Sequence, residues 1–210
     1  MAFWIANAAG LVIAYLLGSI PTGYLAGKLL KGIDIREHGS KSTGATNVLR
    51  TLGKLPAAVV LAIDVLKGAV AVAVVRWLSS TPPSALELQA WEPWAVCLAG
   101  LVALLGHGRS IWLNFTGGKS AATGLGVLLA MSWQVGLGAA VVFGATLAIC
   151  RIVSLSSMLA ALAAIALVFG FQQPLSYRLL VIAGAIYVIA RHRANIQRLL
   201  SGTEPRLGAK

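Results

Sequence analysis

The sequence predicts an all-α polytopic membrane protein of about seven transmembrane helices, some of them short, with the N-terminus outside and the C-terminus cytoplasmic. Three observations carry this. Of 210 residues, 58% are hydrophobic and only 11% charged, too few charges to cover a soluble domain of this size. Several apolar runs approach or pass the ~18 residues that signal a membrane-spanning helix, and the mean hydropathy is +0.84. The net charge of +11 is gathered into short loops between those runs, as the positive-inside rule expects of cytoplasmic loops. The same pattern argues against a nucleic-acid partner.

The first expected span covers residues 3–30. It lacks a basic leading region and a small-residue cleavage site, so no cleavable signal peptide is expected. A polar loop over residues 31–54 follows. The second span covers 55–75 and ends at Arg76 and Trp77. Residues 79–92 form a polar loop with Pro82, Pro83, Glu87 and Glu92 but no Lys or Arg, and Trp91 and Trp94 suit a membrane interface. The third span, 93–106, is short, and a second polar loop runs over 107–123. Residues 121–149 carry no charge. As one helix they would be roughly 43 Å long against a ~30 Å hydrocarbon core. Two short helices are therefore expected, with a turn in the segment SWQVGLG at 132–138. Spans over 153–171 and 175–190 complete the set, and residues 191–210 form a basic tail. With seven spans, the loops 31–54 and 107–120, Arg151 and the tail share one side, which then holds nearly all the Lys and Arg. Six spans would move the basic tail to the other side. No repeat or linker divides the chain, so residues 1–210 are expected to form a single domain. Cys97 and Cys150 lie in or at the edge of apolar runs without ligand spacing and read as small hydrophobes.

Three polar segments fall on the predicted cytoplasmic side. The first is GSKSTGATN at 39–47, closed by Arg50. Ser40, Ser42, Thr43, Thr46 and Asn47 offer hydroxyl and amide donors. Gly39 and Gly44 let backbone N–H groups converge on an anion. Arg50, one turn beyond Asn47 if a helix begins there, can fork onto phosphate oxygens. The second is Gly117, Gly118, Lys119 and Ser120 ahead of a helix. It is not a P-loop, because Leu113 stands where that motif needs glycine. Two glycines, a helix N-terminus and a lysine still suit phosphate. The third is His192, Arg193, Asn195, Arg198 and Glu204, with His192 and Asn195 spaced to share a helix face. Each has a plainer alternative: a solvated loop with an N-cap, an interfacial turn, and a basic tail on anionic lipid. Residues 154–157 suit a helix N-cap, and His107 suits a structural hydrogen-bonder. Asp64 and Lys67, inside the second span, are spaced for an ion pair on one face. The chain has no metal-ligand set, no acidic cluster for Mg²⁺ and no dinucleotide loop, so neither metal nor cofactor is expected. Three phosphate-friendly segments on one face point to chemistry on phosphorylated metabolites at the membrane surface, with room for one lipidic substrate.

Assembled in order, these motifs resemble the bacterial acyl-phosphate-dependent glycerol-3-phosphate acyltransferase family. The match is carried by GSIPTG at 18–23, DIREHGS at 34–40, GATN at 44–47 and Arg50. It continues in Gly106, His107, FTGGK at 115–119, Ala122 and Thr123, then in RHRANIQRLL at 191–200 and GTE at 202–204. The family usually has a glycine and an asparagine where Lys41 and Ser42 stand, and a glycine where Ser120 stands. The resemblance implies a seven-span inner-membrane enzyme with its site on the cytoplasmic side. It implies transfer of a fatty acyl group from acyl phosphate to the 1-hydroxyl of glycerol 3-phosphate, giving lysophosphatidic acid and phosphate, the first acylation of phospholipid synthesis. By analogy, Ser40, Arg50, His192 and Asn195 are the expected catalytic residues. Gly39, Thr46, Asn47, Gly117, Gly118, Lys119 and Ser157 are the expected substrate-binding ones. The expected partners are the two substrates and the bilayer, with no obligate protein partner. The competing readings are a phosphate or organic-anion transporter, which wants binding residues near the midplane, and a membrane scaffold that binds anionic lipid.

Overall fold

The computed structural model describes residues 1–80 and 90–208. The part of the 79–92 loop that holds Pro82, Pro83 and Glu87 lies outside the described residues. Helix α1 (Ala2–Ser19) is followed by α2 (Thr22–Lys31), α3 (Ala45–Leu52), α4 (Lys54–Ser80), α5 (Glu92–Gly108), α6 (Ala121–Met131), α7 (Trp133–Cys150), α8 (Val153–Gly170), α9 (Leu175–Arg191) and α10 (Arg193–Leu200). The strand-type pairing among the described residues is an isolated antiparallel bridge between Ser110 and Thr116.

The expected first span is not continuous. It breaks at Ile20 and Pro21, and the two pieces meet at a 40° bend. Pro21 has no N–H to give and pushes the residue before it out of the helical region; Ile20 accordingly has φ −53° and ψ 117°. The second and third spans run slightly longer than expected, to Ser80 and over Glu92–Gly108. The uncharged 121–149 segment does divide in two, but the turn is at Ser132 alone, and Trp133 already starts α7. Gly136 there lies directly against the Leu129 backbone, so the chain turns back on itself. Arg76 fixes this turn. Its Nη1 donates to the Ala130 carbonyl at 2.7 Å and its Nη2 to the Tyr177 hydroxyl at 2.9 Å, capping the end of α6, while Nε lies 3.2 Å from Glu92.

Helices α4, α7 and α8 are each long and apolar enough to cross a membrane. Among the described residues, counting the bent pairs α1–α2 and α9–α10 as one span each gives up to five, and α5 and α6 are shorter apolar helices. The core is made of small side chains such as Ala71, Val72, Ala95, Val96, Ala99 and Ala103, which let helices approach closely. Helices α4 and α6 cross closely. A Cβ on Gly68 would run into the Thr123 carbonyl, and one on Gly126 into the Val65 carbonyl. This crossing fixes the N-terminus of α6, and hence the loop before it, against α4.

Contacts among the basic segments place them at one end of the bundle. Lys31 donates to the Thr51 carbonyl, Arg36 to Thr116, Arg191 to Gly118, and the Leu207 N–H to the Arg151 carbonyl.

Candidate active site

The first loop is wound around one side chain. Asn47, 1% exposed, shares its amide N–H groups among the carbonyls of Ile35, His38 and Ser42, at 2.9, 3.0 and 2.8 Å. Its Oδ1 accepts from the Ser40 N–H at 2.9 Å. Gly39 sits at φ +56°, and a side chain there would collide with the Asn47 amide. Helix α3 does begin at Ala45, so Thr46 and Arg50 lie one turn apart on it. Behind the loop, Gly23 of α2 lets the Thr43 carbonyl pack against the helix.

The second loop is held by its glycines and by Arg191. A Cβ on Gly117 or Gly118 would collide with the backbone or ring of His107, and the Gly118 N–H donates to the His107 carbonyl at 3.1 Å. The Arg191 guanidinium donates to the carbonyls of Gly118 (3.0 Å), Gly117 (3.1 Å) and Gly108 (3.3 Å). Carbonyl oxygens, which would repel an anion, are thereby engaged. Ser120, Ala121 and Ala122 at the start of α6 line the cavity described below, so the positive end of a helix dipole is there too.

The two positions where the resembled motif usually has glycine have left-handed backbone: Lys41 at φ +54° and Ser120 at φ +62°. This explains why glycine suits them. An L side chain there costs about 1–2 kcal/mol. Ser120 offsets part of this by donating to the Leu104 carbonyl at 2.8 Å. Ser42 makes a weak turn bond, accepting from the Gly44 N–H at 3.4 Å.

The third segment links to the second through Asn195. Its Oδ1 accepts from Lys119 Nζ at 2.6 Å, and its Nδ2 donates to Glu204 at 2.6 Å. Glu204 also accepts from Ser154 and from Arg198, each at 2.7 Å, which ties the tail to the bundle. Burial raises the Glu204 pKa, but those hydrogen bonds together outweigh it and leave the group below its ordinary value. Residues 154–157 do not cap α8. Ser156 and Ser157 donate back to carbonyls four residues earlier, and Ser154 serves Glu204. His192, 3% exposed, sits between α9 and α10. Its Nδ1 donates to the Val188 carbonyl at 2.7 Å, which leaves Nε2 as the acceptor of the neutral ring. Burial pushes the His192 imidazole down to about 4, so the ring is neutral at neutral pH. Burial also pushes the Lys119 ammonium down to about 8; Glu204 opposes this, and Arg198, Arg50 and Arg191 add to it.

One cavity of about 360 Å³ joins these segments, within the size range of small-molecule sites. Ser40, Thr46, Asn47, Arg50, Lys119, Ser157, His192 and Asn195 all line it, whereas Gly39, Gly117 and Gly118 are not among its lining residues. Away from this polar end the lining is apolar, including Leu61, Val65, Leu125, Leu128 and Phe143. Sequence reasoning assigned no role to Arg191, although the motif at 191–200 begins with it, and it had no way to see the apolar half of the cavity. Arg50 makes no hydrogen bond or ion pair with the protein among the described residues and is exposed, so its guanidinium is available.

Within a helical membrane bundle, this cavity joins cationic side chains to an apolar chamber, a lining suited to an anionic head and a hydrocarbon tail. The family profile described as Glycerol-3-phosphate acyltransferase matches residues 8–202. The chain is 76% identical to glycerol-3-phosphate acyltransferase 2 of Rhizobium johnstonii, with 99% of each chain covered. It is 58% identical to the glycerol-3-phosphate acyltransferase of Acaryochloris marina, covering 100% of this chain and 96% of that one. The crystal structure of PlsY, an integral membrane glycerol 3-phosphate acyltransferase, in its glycerol 3-phosphate form superposes with a TM-score of 0.86 at 36% identity over 96% of each chain. Its lysophosphatidic acid form gives 0.83 at 35% identity, covering 96% of this chain and 95% of that one. The chain belongs to the glycerol-3-phosphate acyltransferase family and is an integral membrane acyltransferase. The transporter and scaffold readings are set aside.

Proposed function

We propose that this protein transfers a fatty acyl group from acyl phosphate to the 1-hydroxyl of glycerol 3-phosphate, releasing phosphate and lysophosphatidic acid. The observation that carries this reading is one cavity whose lining combines Arg50 and Lys119 with apolar side chains such as Leu61, Leu125 and Phe143. Such a site takes two phosphate groups at its mouth and one acyl chain in its chamber. In this scheme residues 1–210 act as one domain with seven spans. The N-terminus is outside, and the site faces the cytoplasm of the bacterial inner membrane. The gathering of the basic segments at one end of the bundle supports that orientation.

Acyl phosphate is a mixed anhydride with a good leaving group, so positioning and charge neutralisation supply much of the rate. Lys119 and Arg50 hold the phosphates, Ser40 and Thr46 orient the first loop's ligand, and Asn195 and Ser157 complete the wall. The hydroxyl proton goes to a substrate phosphate oxygen or to His192 Nε2. The acyl–oxygen bond to the donor phosphate breaks as the bond to the glycerol oxygen forms. Purified protein given both substrates should form lysophosphatidate; its absence would overturn the reading. His192→Gln separates the two proton acceptors. Retention of most of the turnover assigns the proton to phosphate, and a loss of about 10²-fold or more assigns it to His192.

The pH dependence has a definite sign. Lys119 must be protonated to hold phosphate, and its pKa in the free protein is about 8. The kcat/KM for glycerol 3-phosphate should therefore fall above about pH 8, with a slope approaching −1, because free-enzyme ionisations govern kcat/KM. His192, already neutral, produces no step between pH 5 and 8. A profile flat to pH 10 would remove Lys119 from phosphate binding.

A further inference from the structure

The ion pair inside α4 has no part in the scheme above. Asp64 and Lys67 are buried, at 1% and 5% exposure, and ionisable groups at such depth are costly unless used. Lys67 Nζ lies 2.8 Å from Asp64 Oδ1 and donates to the Ile20 carbonyl at 2.8 Å, at the break between α1 and α2. Thr22, the first residue of α2, donates to the same carboxylate oxygen at 2.6 Å. His107, near the end of α5, brings Nδ1 to 3.6 Å from it. One carboxylate thus gathers α4, the start of α2 and the end of α5.

This cluster borders the cavity, since both Asp64 and His107 line it. Asp64 Oδ2 and His107 Nδ1 are buried and have no hydrogen-bond partner among the described residues. The His107 ring bears on Gly118 so closely that a Cβ there would overlap Nε2, and its carbonyl holds the Gly118 N–H. The next residue is Lys119. One turn beyond Asp64, Gly68 receives the Thr123 carbonyl of α6. Lys119 is therefore flanked by two supports that both lead back to the Asp64 turn of α4.

We infer that Asp64 and His107 are a positioning pair for Lys119: the carboxylate, fixed by Lys67 and Thr22, sets the His107 ring against Gly118 and so sets where the ammonium stands. The inference rests on the reading of this cavity as the site that holds glycerol 3-phosphate. Neither residue touches the reacting atoms; both act through the loop. A catalytic loop without such a support is free to shift, and a displacement of about 1 Å can cost about a hundredfold in rate.

The test uses full-length Asp64→Asn, His107→Gln and Thr22→Val proteins. Thr22→Val removes one donor to the carboxylate and keeps the test open if either other variant fails to fold. Four quantities are measured: the melting temperature, its rise on adding glycerol 3-phosphate, KM for each substrate, and kcat. The expected result is a KM for glycerol 3-phosphate raised about tenfold or more, with KM for acyl phosphate unchanged and the ligand-induced rise in melting temperature diminished. In a Lys119→Ala background, His107→Gln should add little. An unchanged KM for glycerol 3-phosphate in folded variants would overturn the inference. So would a fall in kcat alone, or full additivity with Lys119→Ala. A wild-type protein that makes no lysophosphatidate but is stabilised by glycerol 3-phosphate would refute the acyl-transfer reading instead, and the thermal shifts of the variants then decide the positioning role.

Discussion

Arg50→Ala is expected to lower kcat/KM by about 10³-fold in protein that still folds, a loss of about 4 kcal/mol of transition-state stabilisation. The guanidinium stands on α3 at the mouth of the cavity, engages no protein acceptor among the described residues, and is close enough to depress the Lys119 pKa. The like charges of Arg50 and Lys119 repel one another, while Glu204 draws the other way. In the proposed scheme bound phosphates relieve this, the donor phosphate at Arg50 and glycerol 3-phosphate at Lys119, and charge on the donor phosphate grows as the acyl bond breaks. Because Arg50 supports nothing in the fold, the melting temperature should barely move. Arg50→Lys keeps the charge but loses the fork and should recover only part of the rate. Turnover near that of the unmodified protein in Arg50→Ala would remove the residue from the mechanism.

Asn47→Asp is expected to abolish activity as completely as Asn47→Leu, although it changes a single atom type. The Asn47 amide nitrogen faces the carbonyls of Ile35, His38 and Ser42. A carboxylate oxygen there would face three acceptors with no proton to offer. Leaving these buried groups unpaired costs about 1–3 kcal/mol each, more than a short loop can sustain. The loop should open, taking Ser40 away from the cavity and loosening the register of α3 beneath Arg50. Limited proteolysis within residues 38–44 would report the opening, and kcat would report the loss. An active Asn47→Asp protein with a protease-resistant loop would show that the amide is not the hub of this segment.

The three polar segments were legible because their chemistry is local. Hydroxyls, glycines and a lysine between apolar runs mark an anion loop wherever the chain goes, and basic residues sort to one side of a membrane by charge alone. The Asp64–Lys67 pair was also legible, since three-residue spacing puts both on one helix face. What those residues do was less so. Asn47 reads as a ligand-binding amide, yet its donors are spent within the loop. Gly117 and Gly118 read as phosphate-binding backbone, yet they are glycines because His107 leaves no room for a side chain. Arg191 reads as one more cation of the tail, yet it engages the carbonyls of the second loop. In each case the deciding contact comes from a segment distant in the chain or from a turn whose closure the residue types do not reveal.

The sequence by itself determined a helical membrane protein, its basic face, its three anion-friendly segments and the family whose motifs they compose. Periodicity, hydropathy and residue chemistry are properties of the chain read in order. Only the tertiary structure decided that Pro21 breaks the first span, that the expected turn within 132–138 falls at Ser132, and that Lys119 meets Asn195 across 76 residues. It also decided that the polar mouth opens into an apolar chamber. A cavity is the space left between helices, and its shape depends on how closely Gly68, Gly126 and their partners let those helices approach.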